Sequence, residues 1–254
     1  MTKIAAAASI LAGLVIWGAP AFAQPADGGY RVFRPDGAGP HPAIAFLSGC
    51  NGFAPVVAPK AYERAAEIFR GQGYIVLFVD YIGRRGAQNC SSGPITQGDA
   101  AKDLVAAVTW LRSQTSVDST RISALGWSYG GGAVLVALGT YAEEQLGISR
   151  AVVFYPYCGD AVRPWTVATP VLMLLAGDDV VARSEPCQAA VRKSAIPAAV
   201  KSVIYHGALH AFDLAELPAE TPGPAGMPAG IAGYNHRAAA DAWVEAQRFL
   251  QSPR

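Results

Sequence analysis

The chain has 254 residues, 52% of them hydrophobic and 15% charged, with a formal net charge of +1. That apolar content excludes a disordered chain and suits one compact domain, since α/β domains reach ~250 residues as a single unit. The near-neutral balance provides no bulk field to recruit nucleic acid or an acidic membrane, and neither a basic run nor an internal repeat is present.

The N-terminus reads as a targeting segment. Lys3 precedes an apolar stretch from Ile4 to Trp17, then Gly18 and Pro20, and "AFA" at Ala21–Ala23 fits the small-x-small cleavage rule. The stretch is shorter than the ~20 residues of a membrane span. Residues 1–23 are therefore expected to be a signal peptide, residues 24–254 a single exported domain, periplasmic or secreted, with no stable span after cleavage. An uncleaved anchor is the alternative.

Short apolar runs then alternate with helical patterns. "PAIAFLSG", "YIVLFVD", "RISALGW", "RAVVFYP", "PVLMLLAG" and "VKSVIYH" read as strands, apolar on consecutive positions as in a parallel sheet buried on both faces. The helix candidates are Pro59–Gly73, Thr96–Gln114, a helix from about Tyr129, Ser184–Ala195 and Tyr234–Leu250. This alternation predicts an α/β fold, a mostly parallel sheet with helices on both faces. In such sheets function sits at the carboxyl ends of the strands. Leu217–Gly233, rich in Pro, Gly and Ala, reads as a loop between the last strand and the last helix.

The stretch "ALGWSYGGGA", Ala124–Ala133, carries the main chemical signal. Strand, sharp turn, serine and helix make a nucleophile elbow, with Gly126 and Gly130 leaving room for the turn around Ser128. A serine hydroxyl needs a base to take its proton. A histidine and an acid, each after a later strand, would complete the set. Asp178-Asp179 follows "PVLMLLAG", and Asp179 is favoured because "DVVA" resembles the turn after the acid in many hydrolases. After "VKSVIYH", His206 falls at the strand end and His210 in the loop, where it could reach the serine. His41 and His236 read as structural. The order Ser128, Asp179, His210 is that of the α/β hydrolases. The oxyanion hole is expected from the backbone N–H of Tyr129 and of an upstream residue in "FLSGCNG", Cys50 first and Asn51 next.

Cys50, Cys90, Cys158 and Cys187 are the four cysteines, an even count that fits two bridges in an exported protein. Three pairings are possible and the count does not choose. Loop positions favour Cys50–Cys90 and Cys158–Cys187; four free buried thiols are the bland alternative. No CxxC pair suggests a zinc site.

These motifs resemble the dienelactone hydrolase family of α/β hydrolases, here an exported member with a serine nucleophile. "GWSYGG" resembles its elbow and "GALHAFD" its histidine loop. "VDYIGRRG", "YPYCG" and "DDVVARSEPC" resemble its exported members. The namesake enzyme uses a cysteine nucleophile where this chain has Ser128, and many relatives have His-Gly where it has Ser48-Gly49. The resemblance implies hydrolysis of a small-molecule carboxylic ester or lactone through an acyl-enzyme, with no metal or organic cofactor. A polyester- or cutinase-like hydrolase and a non-catalytic binding protein of the same fold are the rivals. Arg85, in the "DYIGRRG" loop, has two readings: it binds an anionic group of the substrate, or it ties down its own loop.

Overall fold

The computed structural model describes residues 30–53, 55, 58–159, 162, 168–195, 199–219 and 230–252. The expected signal peptide and most of the Leu217–Gly233 loop lie outside the described residues.

Seven strands form one sheet in the order β1-β3-β2-β4-β5-β6-β7. They are β1 (Arg31–Phe33), β2 (His41–Leu47), β3 (Ile75–Phe78), β4 (Val117–Trp127), β5 (Arg150–Phe154), β6 (Val171–Ala176) and β7 (Val200–Tyr205). All pairs are parallel except β1 with β3. The helices are α1 (Ala61–Gly71), α2 (Gln97–Arg112), α3 (Ser128–Thr140), the short α4 (Glu143–Leu146), α5 (Ser184–Lys193) and α6 (His236–Gln251).

The consecutive apolar residues of β3, β5 and β6 are buried throughout. This follows from helices covering both faces of the sheet. Alternate side chains feed two cores. Ala43, Ala45 and Leu47 pack with Leu104, Val108, Val134 and Leu135 of α2 and α3. Ile44 and Phe46 point the other way, to Tyr62 and Phe69 of α1 and to Ala242 and Leu250 of α6. Each large side chain taken fully out of water contributes ~1.5–3 kcal/mol. Helix α3 is apolar all round and buried from Gly130 to Leu138, as a helix enclosed by sheet and neighbours must be.

Two elements depart from the expectations. Strand β1 had no sequence signal, because three residues are too few to show alternation; it pairs with the outer edge of β3. Strand β7, expected to be buried on both faces, exposes Lys201, Ser202 and Ile204. It ends the sheet, so one face lacks the cover that the inner strands have.

Two cystines cross-link the loops at the carboxyl ends of the strands, Cys50–Cys90 and Cys158–Cys187, and no described cysteine is free. The first joins the loop after β2 to the loop after β3, where Cys90 N–H also donates to the Cys50 carbonyl at 2.8 Å. The second joins the segment after β5 to α5. Replacing Cys50 and Cys90 by serine frees a 40-residue separation in the unfolded chain. The expected cost is ~3–4 kcal/mol, read as a lower urea midpoint with an m-value that rises as the unfolded chain expands.

Candidate active site

Strand β4 ends at Trp127, and α3 begins at once with Ser128. The turn between them forces Ser128 to φ 50°, a region that costs a non-glycine residue of order 1–3 kcal/mol. The flanking glycines allow this. A Cβ on Gly126 would lie 2.7 Å from the Gly130 carbonyl oxygen and 2.8 Å from Gly131 N. A Cβ on Gly130 would overlap the carbonyl oxygens of Leu47 and Ser48, so the helix start lies directly against the loop that ends β2.

His210 lies in the loop after β7, beyond the strand end. Its Nδ1 is 2.7 Å from Asp179 Oδ2 and its Nε2 is 3.0 Å from Ser128 Oγ. A carboxylate only accepts, so the bond to Asp179 places the imidazole proton on Nδ1. That leaves the Nε2 lone pair facing the serine hydroxyl. Asp179 is itself held: its Oδ1 accepts from Val181 N at 2.8 Å and Ala182 N at 2.7 Å. Its side chain is fully shielded from solvent. Asp178 turns away, exposed, and its Oδ1 accepts from Gly207 N at 3.3 Å. His206 is exposed at the end of β7, His41 opens β2 and His236 opens α6. The structure therefore brings Ser128, Asp179 and His210 together and leaves Asp178 and the other histidines apart from them.

The loop after β2 lies against the start of α3. Tyr129 N–H lies in the first turn of α3, where backbone donors have no partner within the helix. Upstream, Gly49 N–H donates to Tyr62 Oη at 2.9 Å, which leaves Cys50, then Asn51, as the next amides of the loop. Tyr81 Oη donates to the carbonyls of Ser48 and Gly49 at 2.9 and 3.2 Å. Cys50, bridged to Cys90, is thus anchored on both sides.

Arg85 lies in the loop after β3. Its Nη1 donates to the Tyr81 carbonyl at 2.7 Å and to Asp103 at 2.5 Å. Both bonds are those of a residue tying down its loop. Arg84 lies over the Tyr30 ring, 5.1 Å from its centroid.

Gln97 and Asp213 also hold this region, and no local sequence pattern marks the role of either. Thr96 caps α2 through a reciprocal pair of bonds with Asp99, and this sets Gln97 at the helix start. Gln97 Nε2 then donates to the carbonyls of Tyr129 and Tyr157 at 3.2 and 2.8 Å. The capping box was readable as Thr-x-x-Asp; where Gln97 pointed was not. Asp213, three residues after His210, is buried and accepts from Trp127 Nε1 at 3.0 Å and from Tyr155 Oη at 2.5 Å. Burial pushes its pKa up to about 6, against the pull of those two bonds.

Known proteins resemble the chain in sequence and in fold. The chain matches the dienelactone hydrolase family over residues 29–253. A proposed dienelactone hydrolase from Klebsiella pneumoniae superposes with TM-score 0.68 at 18% identity, covering 88% of this chain and 92% of that one. A dienelactone hydrolase-like promiscuous phosphotriesterase from metagenomic libraries, P91, gives TM-score 0.65 at 20% identity over 88% and 93%. Esterase 2 of Thermogutta terrifontis, a structure phosphorylated by paraoxon, gives 0.62 at 18% over 87% of each chain. In sequence, 117 residues are 32% identical to probable dipeptidyl-aminopeptidase B of Botryotinia fuckeliana, 44% of this chain and only 12% of that protein.

Because the folded pKa of Asp213 is raised from 3.8 to about 6, the folded state binds this proton more tightly than the unfolded one. The contribution to stability is complete below pH ~4 and is lost as pH rises through 6, a change of about 3 kcal/mol. Urea unfolding at several pH values should show that loss in the parent, over and above any pH dependence left in Asp213→Asn. Parallel curves from pH 4 to 6.5 would contradict it. The family match spans nearly the whole described chain and the fold is that of the α/β hydrolases, so the chain belongs to the dienelactone hydrolase family, hydrolases that act on ester bonds.

Proposed function

We propose that this chain is an exported serine hydrolase that cleaves carboxylic esters or lactones through an acyl-enzyme formed on Ser128. One observation carries the reading. An unbroken hydrogen-bond chain runs from Asp179 through His210 to a serine whose backbone is strained at an elbow.

Each group has a chemical part. His210 Nε2 takes the Ser128 proton as Oγ attacks the ester carbonyl, and Asp179 stabilises the imidazolium that forms. Negative charge then develops on the carbonyl oxygen. The backbone N–H of Tyr129 and that of Cys50 receive it, donors of a type that contributes ~3–4 kcal/mol each in measured hydrolases. His210 returns the proton to the leaving alkoxide. A water molecule, deprotonated by His210, then attacks the acyl carbon; the bond to Ser128 Oγ breaks, Oγ takes the proton back from His210, and the acid leaves.

Tyr157, whose N–H donates to the Ser128 carbonyl at 2.8 Å, is exposed at 43%. An exposed aromatic residue beside a reactive serine suits an apolar acyl or alcohol group. The "AFA" segment and the two cystines support export, since cystines persist in oxidising compartments.

The test is kinetic and covalent. Ser128→Ala and His210→Ala should each lower kcat by about 10⁶-fold. Asp179→Asn should lower it by roughly 10⁴-fold, because it favours the wrong imidazole tautomer. A fluorophosphonate or paraoxon should label the parent once, on Ser128, and leave Ser128→Ala untouched. An Asp178→Asn variant more damaged than Asp179→Asn would overturn the acid assignment, and full turnover in Ser128→Ala would overturn the nucleophile.

A further inference from the structure

The triad accounts for one buried carboxylate near His210, not two. Both imidazole nitrogens are engaged, by Asp179 and by Ser128, so Asp213 has no direct part in the proton transfer. A carboxylate this deeply buried carries a desolvation cost, and an apolar side chain of similar size would fill the space without it. Its partners suggest what the carboxylate does instead.

Oδ2 holds the indole N–H of Trp127, whose backbone leads directly into Ser128. Oδ1 holds the hydroxyl of Tyr155, whose ring stands edge-on to the His210 imidazole at 4.8 Å between centroids. Burial holds the Tyr155 phenol protonated, well above its ordinary range. It therefore remains a donor to Asp213. Among the described residues, the non-glycine positions at positive φ are Ser128 at 50°, Tyr155 at 33° and Ala211 at 60°. One is the nucleophile, one holds the ring beside the base, and one follows the base in the chain. Strained backbone persists only where its surroundings over-determine it. Asp213 is the group that links all three segments: by bonds to the nucleophile's neighbour and to Tyr155, and by covalent continuity to Ala211.

We propose that Asp213 is a positioning residue of the hydrolytic site, its buried carboxylate fixing the Ser128 elbow and the His210 ring relative to each other through Trp127 and Tyr155. The inference rests on the reading of Ser128 as nucleophile. Charge is used because a carboxylate accepts two bonds at once, and bonds to a charged acceptor are shorter and stronger than neutral ones. A carboxamide of the same shape has one acceptor oxygen, and its NH₂ would face a donor.

The experiment compares Asp213→Asn, Trp127→Phe and Tyr155→Phe with the parent and with Ser128→Ala, using one soluble ester. For every protein that keeps Ser128, turnover is expressed per active site titrated with a fluorophosphonate to completion, so misfolded material does not count; Ser128→Ala is expressed per mole of folded protein. Asp213→Asn should lower kcat about 10–100-fold with KM within twofold, because the network touches the reacting groups and not the substrate. Tyr155→Phe and Trp127→Phe should each lower kcat about 3–10-fold, and the rate of phosphonylation should fall in step with kcat. The double variant Asp213→Asn/Tyr155→Phe should be no slower than Asp213→Asn alone, since both remove the same link. The two phenylalanine variants keep the aromatic packing and serve if Asp213→Asn does not fold. Parent-like kcat per site in all folded variants, alongside an inactive Ser128→Ala, would overturn the positioning role and leave the nucleophile standing. Full activity in Ser128→Ala would overturn the nucleophile reading itself.

Discussion

The backbone of Ser128 is the constraint around which the rest is arranged. At φ 50° the residue sits in a conformation that its own Cβ disfavours. The turn there lifts Oγ out of the sheet and starts α3 in the same step. The glycine positions beside it follow from that geometry. Gly126 admits the first turn of α3, and Gly130 admits the loop after β2. That second approach sets the loop after β2 against the start of α3, whose first N–H groups have no partner within the helix. Gln97, placed by the cap of α2, reaches the carbonyls of Tyr129 and Tyr157 and holds the helix start from the far side. The strain at one residue is therefore supported by packing from β2, α2 and the segment after β5.

The loops that carry the remaining groups are held by two different means. Covalent cross-links tie loop to loop: Cys50–Cys90 joins the loop after β2 to the loop after β3, and Cys158–Cys187 joins the segment after β5 to α5. Buried polar contacts act beside them. Tyr62 and Tyr81 hold the loop after β2 by its amide and its carbonyls. Asp213 holds the elbow strand and Tyr155. Low dielectric strengthens each of these bonds, and it makes an unpaired member expensive.

The fold by itself decides little about chemistry. The same architecture is shared, at 18–20% identity, with an esterase and with a promiscuous phosphotriesterase. A serine in a strained elbow beside a histidine can attack carbon or phosphorus. Which centre is attacked productively depends on the loops around it, because function resides in the site that a fold carries.

The sequence by itself determined the α/β class, the elbow at Ser128, and the chain order of serine, acid and histidine. These are local signals: apolar runs of strand length, glycines around a turn, and polar residues just after strand ends. The cap of α2 was legible for the same reason. Tertiary structure alone decided which neighbours in the chain face each other. Asp178 and Asp179 are adjacent, and only the register of β6 against β7 turns one to His210 and the other to Gly207. Arg85 sat in a loop that could face a ligand or itself, and packing beside α2 joined it to Asp103. Strand β7 read as buried until its place at the sheet edge left one face in water. Asp213 closes the "GALHAFD" loop motif, but its role carried no sequence signal, because its partners lie 86 and 58 residues away. Contacts of that separation are made by the sheet order, and no local pattern encodes them.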